Sequence, residues 1–118
     1  MTIEEQNLLL IDLSARLPYG VKLYHIPTND TTTLEIIGCG CIDGDIHDLI
    51  YNFKPYLFPM SSMTEGQMKE WESTMFNDEY EILIPLPKSF DWLNAHHFDY
   101  RGLIENGLAL DATNLNIY

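Results

Sequence analysis

Cys39-Gly40-Cys41 brings two metal-capable side chains closer together than any other pair of cysteines or histidines except His96-His97. Residues two apart in an extended strand point to the same side, so both sulfurs could reach one zinc ion, with His25 or His47 supplying nitrogen. A structural zinc site needs four ligands at recognisable spacings, and no second cysteine pair follows. The familiar redox dithiol has two residues between its sulfurs, and no lysine or arginine stands next to this pair to lower a thiol pKa. The pair therefore reads as two small, reduced, metal-free thiols in a glycine-rich strand.

His96-His97 with Asp91 and Asp99 could form a hydrolytic or metal cluster. Adjacent residues on a helix diverge by about 100°, so the two imidazoles do not converge as an i, i+4 pair would. Their place before Phe98-Asp99 reads instead as a helix C-terminus, where imidazoles meet the last carbonyls. Arg101, in Asp99-Tyr100-Arg101-Gly102, could hold an acidic or phosphorylated ligand. The planar guanidinium equally suits an internal carboxylate, with its stem on Tyr100 or Trp92, and with so many acids in the chain that is the reading adopted. There is no Gly-x-Ser-x-Gly elbow, no Gly-rich phosphate loop and no His-Glu-x-x-His. The residues give no positive support to an enzyme, and no catalytic, metal or cofactor ligand is assigned.

Tyr51, Phe53, Tyr56 and Phe58 could present a base-stacking platform, but such platforms are flanked by cations that draw in phosphates, and here only Lys54 is present. Core packing or a protein-binding surface fits them better.

The elements that must position these groups are legible in part. Thr2 with Glu5 forms a capping box, and Leu9, Leu10, Leu13 and Leu17 recur at helical spacing, which predicts a helix over residues 3–16 ended by Pro18 and Gly20. Residues 21–26 and 32–37, either side of Pro27-Thr28-Asn29-Asp30, read as a hairpin. Gly38 to Ile42 extends or bulges the second strand, and Asp43-Gly44 reads as a tight turn. Residues 45–53 fit either a strand or a helical turn. Residues 54–59, bracketed by Pro55 and Pro59, must be extended, as an edge strand or a wall over the sheet. Thr64 with Gln67 caps a second helix through about Met75, with Met68, Trp71, Met75 and Phe76 as its stripe. Residues 79–86 read as a strand, Ser89 as the cap of a short helix carrying Phe90, Trp92 and Leu93, and Gly107 as the left-handed exit of a final turn.

At 118 residues the chain can bury one modest core, and one domain, 1–118, is expected. Eighteen acidic against six basic residues give a charge of -12, spread from Glu4 to Asp111. The scattered cations Arg16, Lys22, Lys54, Lys69, Lys88 and Arg101 make no stripe for a phosphate backbone, so direct nucleic-acid binding is not expected and a positively charged protein partner is. The N-terminus has neither the basic start nor the apolar run of a secretory signal, and no apolar stretch approaches the roughly 18 residues of a membrane span. A cytoplasmic setting is expected.

Three blocks stand out together: Leu13-Ser14-Ala15-Arg16-Leu17-Pro18-Tyr19-Gly20-Val21, Lys54-Pro55-Tyr56-Leu57-Phe58-Pro59-Met60-Ser61-Ser62-Met63-Thr64-Glu65, and Asp91-Trp92-Leu93-Asn94 running on to Phe98-Asp99-Tyr100-Arg101-Gly102-Leu103-Ile104. With them the chain resembles a family of small uncharacterised proteins of gut anaerobic bacteria, often carried in their prophages and mobile elements. The resemblance covers most of the chain. It implies an intracellular, phage-linked setting and carries no functional residue. Family members read Lys-Pro-Tyr-Leu-Arg-Pro where this chain has Phe58, so a cation at that position has no role here.

The expected fold is α+β: an N-terminal helix, a small antiparallel sheet of three to five strands, a central helix and a short helical C-terminal segment. The expected function is a non-enzymatic protein-interaction module, an accessory factor of a phage or mobile element, with Tyr56, Phe58, His96, His97, Tyr100 and Arg101 as the candidate surface. Two alternatives stand beside it: an acidic inhibitor that mimics nucleic acid in the cleft of a host DNA- or RNA-binding protein, and a small metal- or thiol-dependent enzyme.

Overall fold

The computed structural model describes residues 1–35, 46–77, 82–83 and 87–118. Cys39, Cys41 and the Asp43-Gly44 turn lie outside the described residues, as does most of 79–86. Helix α1 (Ile3–Arg16) has the expected bounds, and both halves of its capping box form: the Glu5 amide donates to the Thr2 hydroxyl, and the Thr2 amide to the Glu5 carboxylate. Because Thr2 holds its ionised form, the Glu5 carboxyl lies below the usual carboxylate range. A short 3-10 turn, Leu17–Tyr19, follows, and the chain leaves it through Gly20 at φ 66, in the left-handed region that glycine enters without strain.

Strands β1 (Lys22–His25) and β2 (Asp30–Thr33) form the expected hairpin, but β2 starts two residues earlier than its composition indicated. Asn29 accounts for the shift: at φ 59 it closes the turn, its amide donating to the His25 carbonyl, so pairing resumes at once with His25 opposite Asp30. Residues 45–53, ambiguous in the sequence, supply helix α2 (Ile46–Asn52), whose Leu49 and Ile50 are buried in the core.

Strand β3 (Phe53–Pro59) is the centre of the sheet, where an edge strand or a covering wall was expected. Its first half pairs antiparallel with β1, with Pro55 opposite Leu23. Antiparallel ladders alternate hydrogen-bonded and unbonded rungs, so a proline without an N–H fits at an unbonded one. Its second half pairs with β6 (Phe98–Asp99) and β7 (Leu110–Asp111), both in parallel. The sheet is thus mixed rather than wholly antiparallel, because the segments that complete it return from the far end of the chain. Along β3 the side chains of Phe53, Pro55 and Leu57 face inward while Lys54, Tyr56 and Phe58 are half-exposed, the period-two pattern of a sheet with one covered face.

Helix α3 (Glu65–Met75) begins at the second capping box, the Gln67 amide donating to the Thr64 hydroxyl and the Thr64 amide to the Gln67 side chain. Of its stripe, Met75 is buried, Trp71 half-buried and Met68 exposed. Two-residue strands β4 (Phe76–Asn77) and β5 (Ile82–Leu83) pair with each other. Helix α4 (Pro87–Ala95) starts at Pro87, whose fixed φ suits a first helical position, so Ser89 lies inside the helix, buried, and does not cap it. The turn after Gly102 ends through Gly107 at φ 74, as expected, with the Leu108 amide donating to the Leu103 carbonyl.

The architecture is α+β, its core built from Leu9 and Leu13 of α1, Val21, Leu23 and Leu34 of the hairpin, Leu49 and Ile50 of α2, Phe53 and Leu57 of β3, and Leu103, Leu108 and Ala109 from the C-terminal quarter. Fully burying a side chain of the Leu or Phe class contributes about 1.5–3 kcal/mol. The last quarter is therefore as much a part of this core as the first helix.

Candidate interaction surface around the buried arginine

Helix α1 carries Asp12 and Arg16 one turn apart on the face that also buries Leu9 and Leu13, and both polar residues are completely enclosed. The Arg16 Nε donates to Asp12 Oδ2 at 2.8 Å, and its Nη2 donates to the Phe98 carbonyl of β6 at 2.6 Å. Arg101 reaches the other carboxylate oxygen, its Nη1 2.7 Å from Asp12 Oδ1. Both guanidinium groups lie over the Tyr100 ring, at 5.5 Å for Arg16 and 4.5 Å for Arg101, and the Tyr100 hydroxyl donates to Asn94 Oδ1. One carboxylate thus serves two cations, and among these three groups the charge sums to one positive in a strongly acidic chain. Burial makes the arrangement obligatory: removing the carboxylate would leave an uncompensated guanidinium in the core.

Asp99, next to this group, is committed elsewhere. Its two carboxylate oxygens accept the amides of Leu103 and Ile104, at 3.0 and 2.9 Å, and so fix the turn that carries Leu103 into the core.

The histidines at the end of α4 part company. The His96 amide donates to the Trp92 carbonyl, and its ring stacks on Trp92, centroids 4.1 Å apart. His97 leaves the helix at φ 63, and its ring stacks on Tyr118 at 3.7 Å and 16°. The rings thus end on aromatic faces, not on the last carbonyls as expected, because Trp92 and Tyr118 supply apolar planes at the site where the helix stops. Burial first, then the charges of Arg16, His96 and Lys22, press the His97 pKa down to about 4. Its Nδ1, like Arg16 Nη1, is buried with no hydrogen-bond partner among the described residues.

Tyr118 completes the aromatic row. Its ring lies 5.6 Å from Phe58, which in turn lies 6.0 Å from Phe98, itself stacked parallel to Trp92. Its hydroxyl accepts from the Lys22 amide and donates to the Tyr56 carbonyl, and burial pushes its pKa up to about 12.

Of the six residues singled out in the sequence, Phe58 and His97 meet through Tyr118, Tyr56 joins them through its carbonyl, Tyr100 and Arg101 meet over Asp12, and His96 stands apart on Trp92. The internal carboxylate pairing expected of Arg101 is what the structure has, with the guanidinium rather than the stem over Tyr100. Asp12, Arg16 and Tyr118 were not singled out. Asp12 and Arg16 had a signal, since they fall on the same helical stripe as Leu9 and Leu13, where solvated charges do not belong. Tyr118 had none.

Among the described residues no three histidine, cysteine or carboxylate side chains group as metal ligands, and no helix is long and apolar enough to cross a membrane. His25 is turned to a local partner, its Nδ1 2.6 Å from the Thr28 hydroxyl, while the side chain of His47 lies outside the described residues. A second region lies toward the N-terminal end of α1. Met1, Ile26 and Tyr51, each more than two-fifths exposed, surround a hollow of about 40 Å³ floored by Leu9, Ile50, Phe53 and Leu108, with Lys54 at its rim. No family model, curated protein or solved structure matches the chain.

Proposed function

We propose that this chain is a non-enzymatic protein-interaction module. The observation that carries the reading is the hollow walled by Met1, Ile26 and Tyr51, where large apolar side chains stay in water around an apolar floor. The groups with chemical potential are directed inward instead: Asp12, Arg16 and Arg101 bind one another, and Asp99 holds backbone amides. An apolar hollow on a chain of charge -12 favours a partner that brings an apolar anchor, with positive charge elsewhere on its surface. The resemblance of the three sequence blocks supports a setting in a phage or mobile element, with the chain as an accessory factor in the cytoplasm. The test is affinity capture from bacterial lysate with the wild-type chain and the Ile26→Asp variant, identified by mass spectrometry. The same partner must disappear from the variant while its melting temperature is kept; equal recovery by both removes the reading.

The charge of -12 supports a second reading, the acidic mimic of nucleic acid. Mimicry requires that the captured partner's affinity fall steeply with salt and that nucleic acid compete for it. A partner whose affinity barely changes between low and physiological salt removes it.

A further inference from the structure

The Tyr118 hydroxyl stands where a rung of the sheet would be. Leu23 pairs with Pro55 and Tyr24 with Lys54, so the register sets Lys22 opposite Tyr56. The Lys22 amide and the Tyr56 carbonyl, however, do not meet directly. The phenol lies between them instead, accepting from the Lys22 amide at 2.8 Å and donating to the Tyr56 carbonyl at 2.7 Å. Its ring fills a slot between the His97 imidazole, 3.7 Å away, and Phe58, 5.6 Å away. Both ends of the ligand are thus read: a flat aromatic face by stacking, and a hydroxyl by one donor and one acceptor fixed in the sheet.

The segment that delivers this ring is held mainly by local bonds, the Thr113 amide donating to Asp111 Oδ1 and the Leu115 amide to the Ala112 carbonyl. Ala112 is anchored by its amide to the Leu57 carbonyl and is buried. Thr113, Asn114, Leu115 and Asn116 are then all exposed, and both asparagines are left-handed, at φ 67 and 53. Beyond these exposed residues the strap is held down by half-buried Ile117 and by the Tyr118 side chain, which remains two-fifths exposed and so sits at an open mouth.

We propose that this slot between β1 and β3 is a docking site for a tyrosyl side chain of a protein partner, and that Tyr118 occupies it in cis until the partner displaces it. The proposal rests on the interaction-module reading and gives it a second anchor point. The occupant is inferred from the chemistry of the present one: a phenol satisfies both backbone groups, whereas a phenylalanine leaves the Lys22 amide and the Tyr56 carbonyl unpaired. A site built to bond a hydroxyl discriminates strongly against the analogue without one.

The probe is N-acetyltyrosinamide, titrated into wild-type and Tyr118→Ala protein while the Lys22 amide and His97 ring resonances are followed by NMR, with N-acetylphenylalaninamide as the control. Tyr118→Ala is expected to bind the tyrosyl probe at least about tenfold more tightly than wild type, whose own ring competes, and to shift both reporters. The phenylalanyl probe is expected to bind at least about tenfold more weakly than the tyrosyl one. Equal binding of the two probes, or no binding to Tyr118→Ala, overturns the proposal. Loss of the cooperative melt in Tyr118→Ala also overturns it, since the ring would then be part of the core. In each of those cases a wild-type chain that still captures an Ile26-dependent partner leaves the module reading standing, so the two failures are told apart.

Discussion

Asp12 and Arg101, 89 positions apart, are joined by a 2.7 Å ion pair that ties the first helix to the last quarter of the chain. Asp12 is fully enclosed while Arg101 keeps a fifth of its side chain in water, so the two ends of this pair are not equivalent. Replacing Asp12 by Asn strips two guanidinium groups of their counter-charge, one of them wholly buried, and is expected to cost about 3–5 kcal/mol. Arg101→Met leaves Asp12 paired with Arg16 and is expected to cost about 1 kcal/mol. Urea unfolding of the two variants checks the order; a larger loss for Arg101→Met would contradict it.

The His97 ring makes stability depend on mild acid. Its folded pKa, about 4, lies below the ordinary value of 6.5, so the folded state resists a proton that the unfolded chain accepts. This contribution is intact above pH 6.5, erodes as the pH falls through that value, and levels off below about 4. His97→Asn, which tolerates the left-handed backbone, is expected to remove that part of the pH dependence. A midpoint near 6.5 for the His97 imidazole itself, followed by its own ring resonances in the folded protein, would contradict the prediction.

Asp99 accepts two amides and is nearly buried, so Asp99→Ala leaves the Leu103 and Ile104 donors unsatisfied. The expected cost is about 2–4 kcal/mol, from about 1–3 for each abandoned donor less what water recovers. Asp91→Ala, on the exposed side of α4, is expected to stay within about 0.5 kcal/mol of wild type. Thermal melts of the pair decide between a structural and a solvated role for these two carboxylates.

Removal of residues 90–118 is expected to abolish the cooperative transition. It takes away both parallel partners of β3 and the buried Leu93, Phe98, Leu103 and Leu108. Truncating large core side chains costs about 2–5 kcal/mol each, and several together exceed the stability of a typical domain. A sharp melt at the wild-type temperature would make this segment a peripheral arm instead.

Cys39 and Cys41 are expected to be reduced and metal-free, since one-residue spacing and missing co-ligands do not make a zinc site. Native mass spectrometry of protein purified without chelator measures this. A stoichiometric zinc ion lost in Cys41→Ser would reverse it.

The parts of the fold written in local chemistry were legible in the sequence: the capping boxes at Thr2 and Thr64, the Gly20 and Gly107 exits, and the hairpin around Asn29. What could not be read is what depends on distant pairing. Two prolines made residues 54–59 look like an edge, because composition reports a missing amide and not whether the amide is needed at that rung. Residues 45–53 had no decisive period, and it is burial of Leu49 and Ile50 against the core that makes them helical. For the site, the Arg101 pairing followed from side-chain geometry, although its partner did not. The slot around Tyr118 is assembled from Lys22, Tyr56, Phe58 and His97, which no sequence spacing connects.

The parallel pairing of β3 has a consequence for how the chain is made. Phe58 waits for Phe98 and Tyr56 for Leu110, so the central strand is synthesised long before the segments that flank its second half. Parallel contacts of this range close slowly, because the loop must be ordered before the contact repays it. On the ribosome, the nascent chain therefore carries an unfinished sheet with apolar Leu57 and Phe58 uncovered until residues 98–111 have emerged. Completion of the sheet must follow synthesis of residue 111, and in a crowded cell that interval is the period in which a chaperone has most to hold.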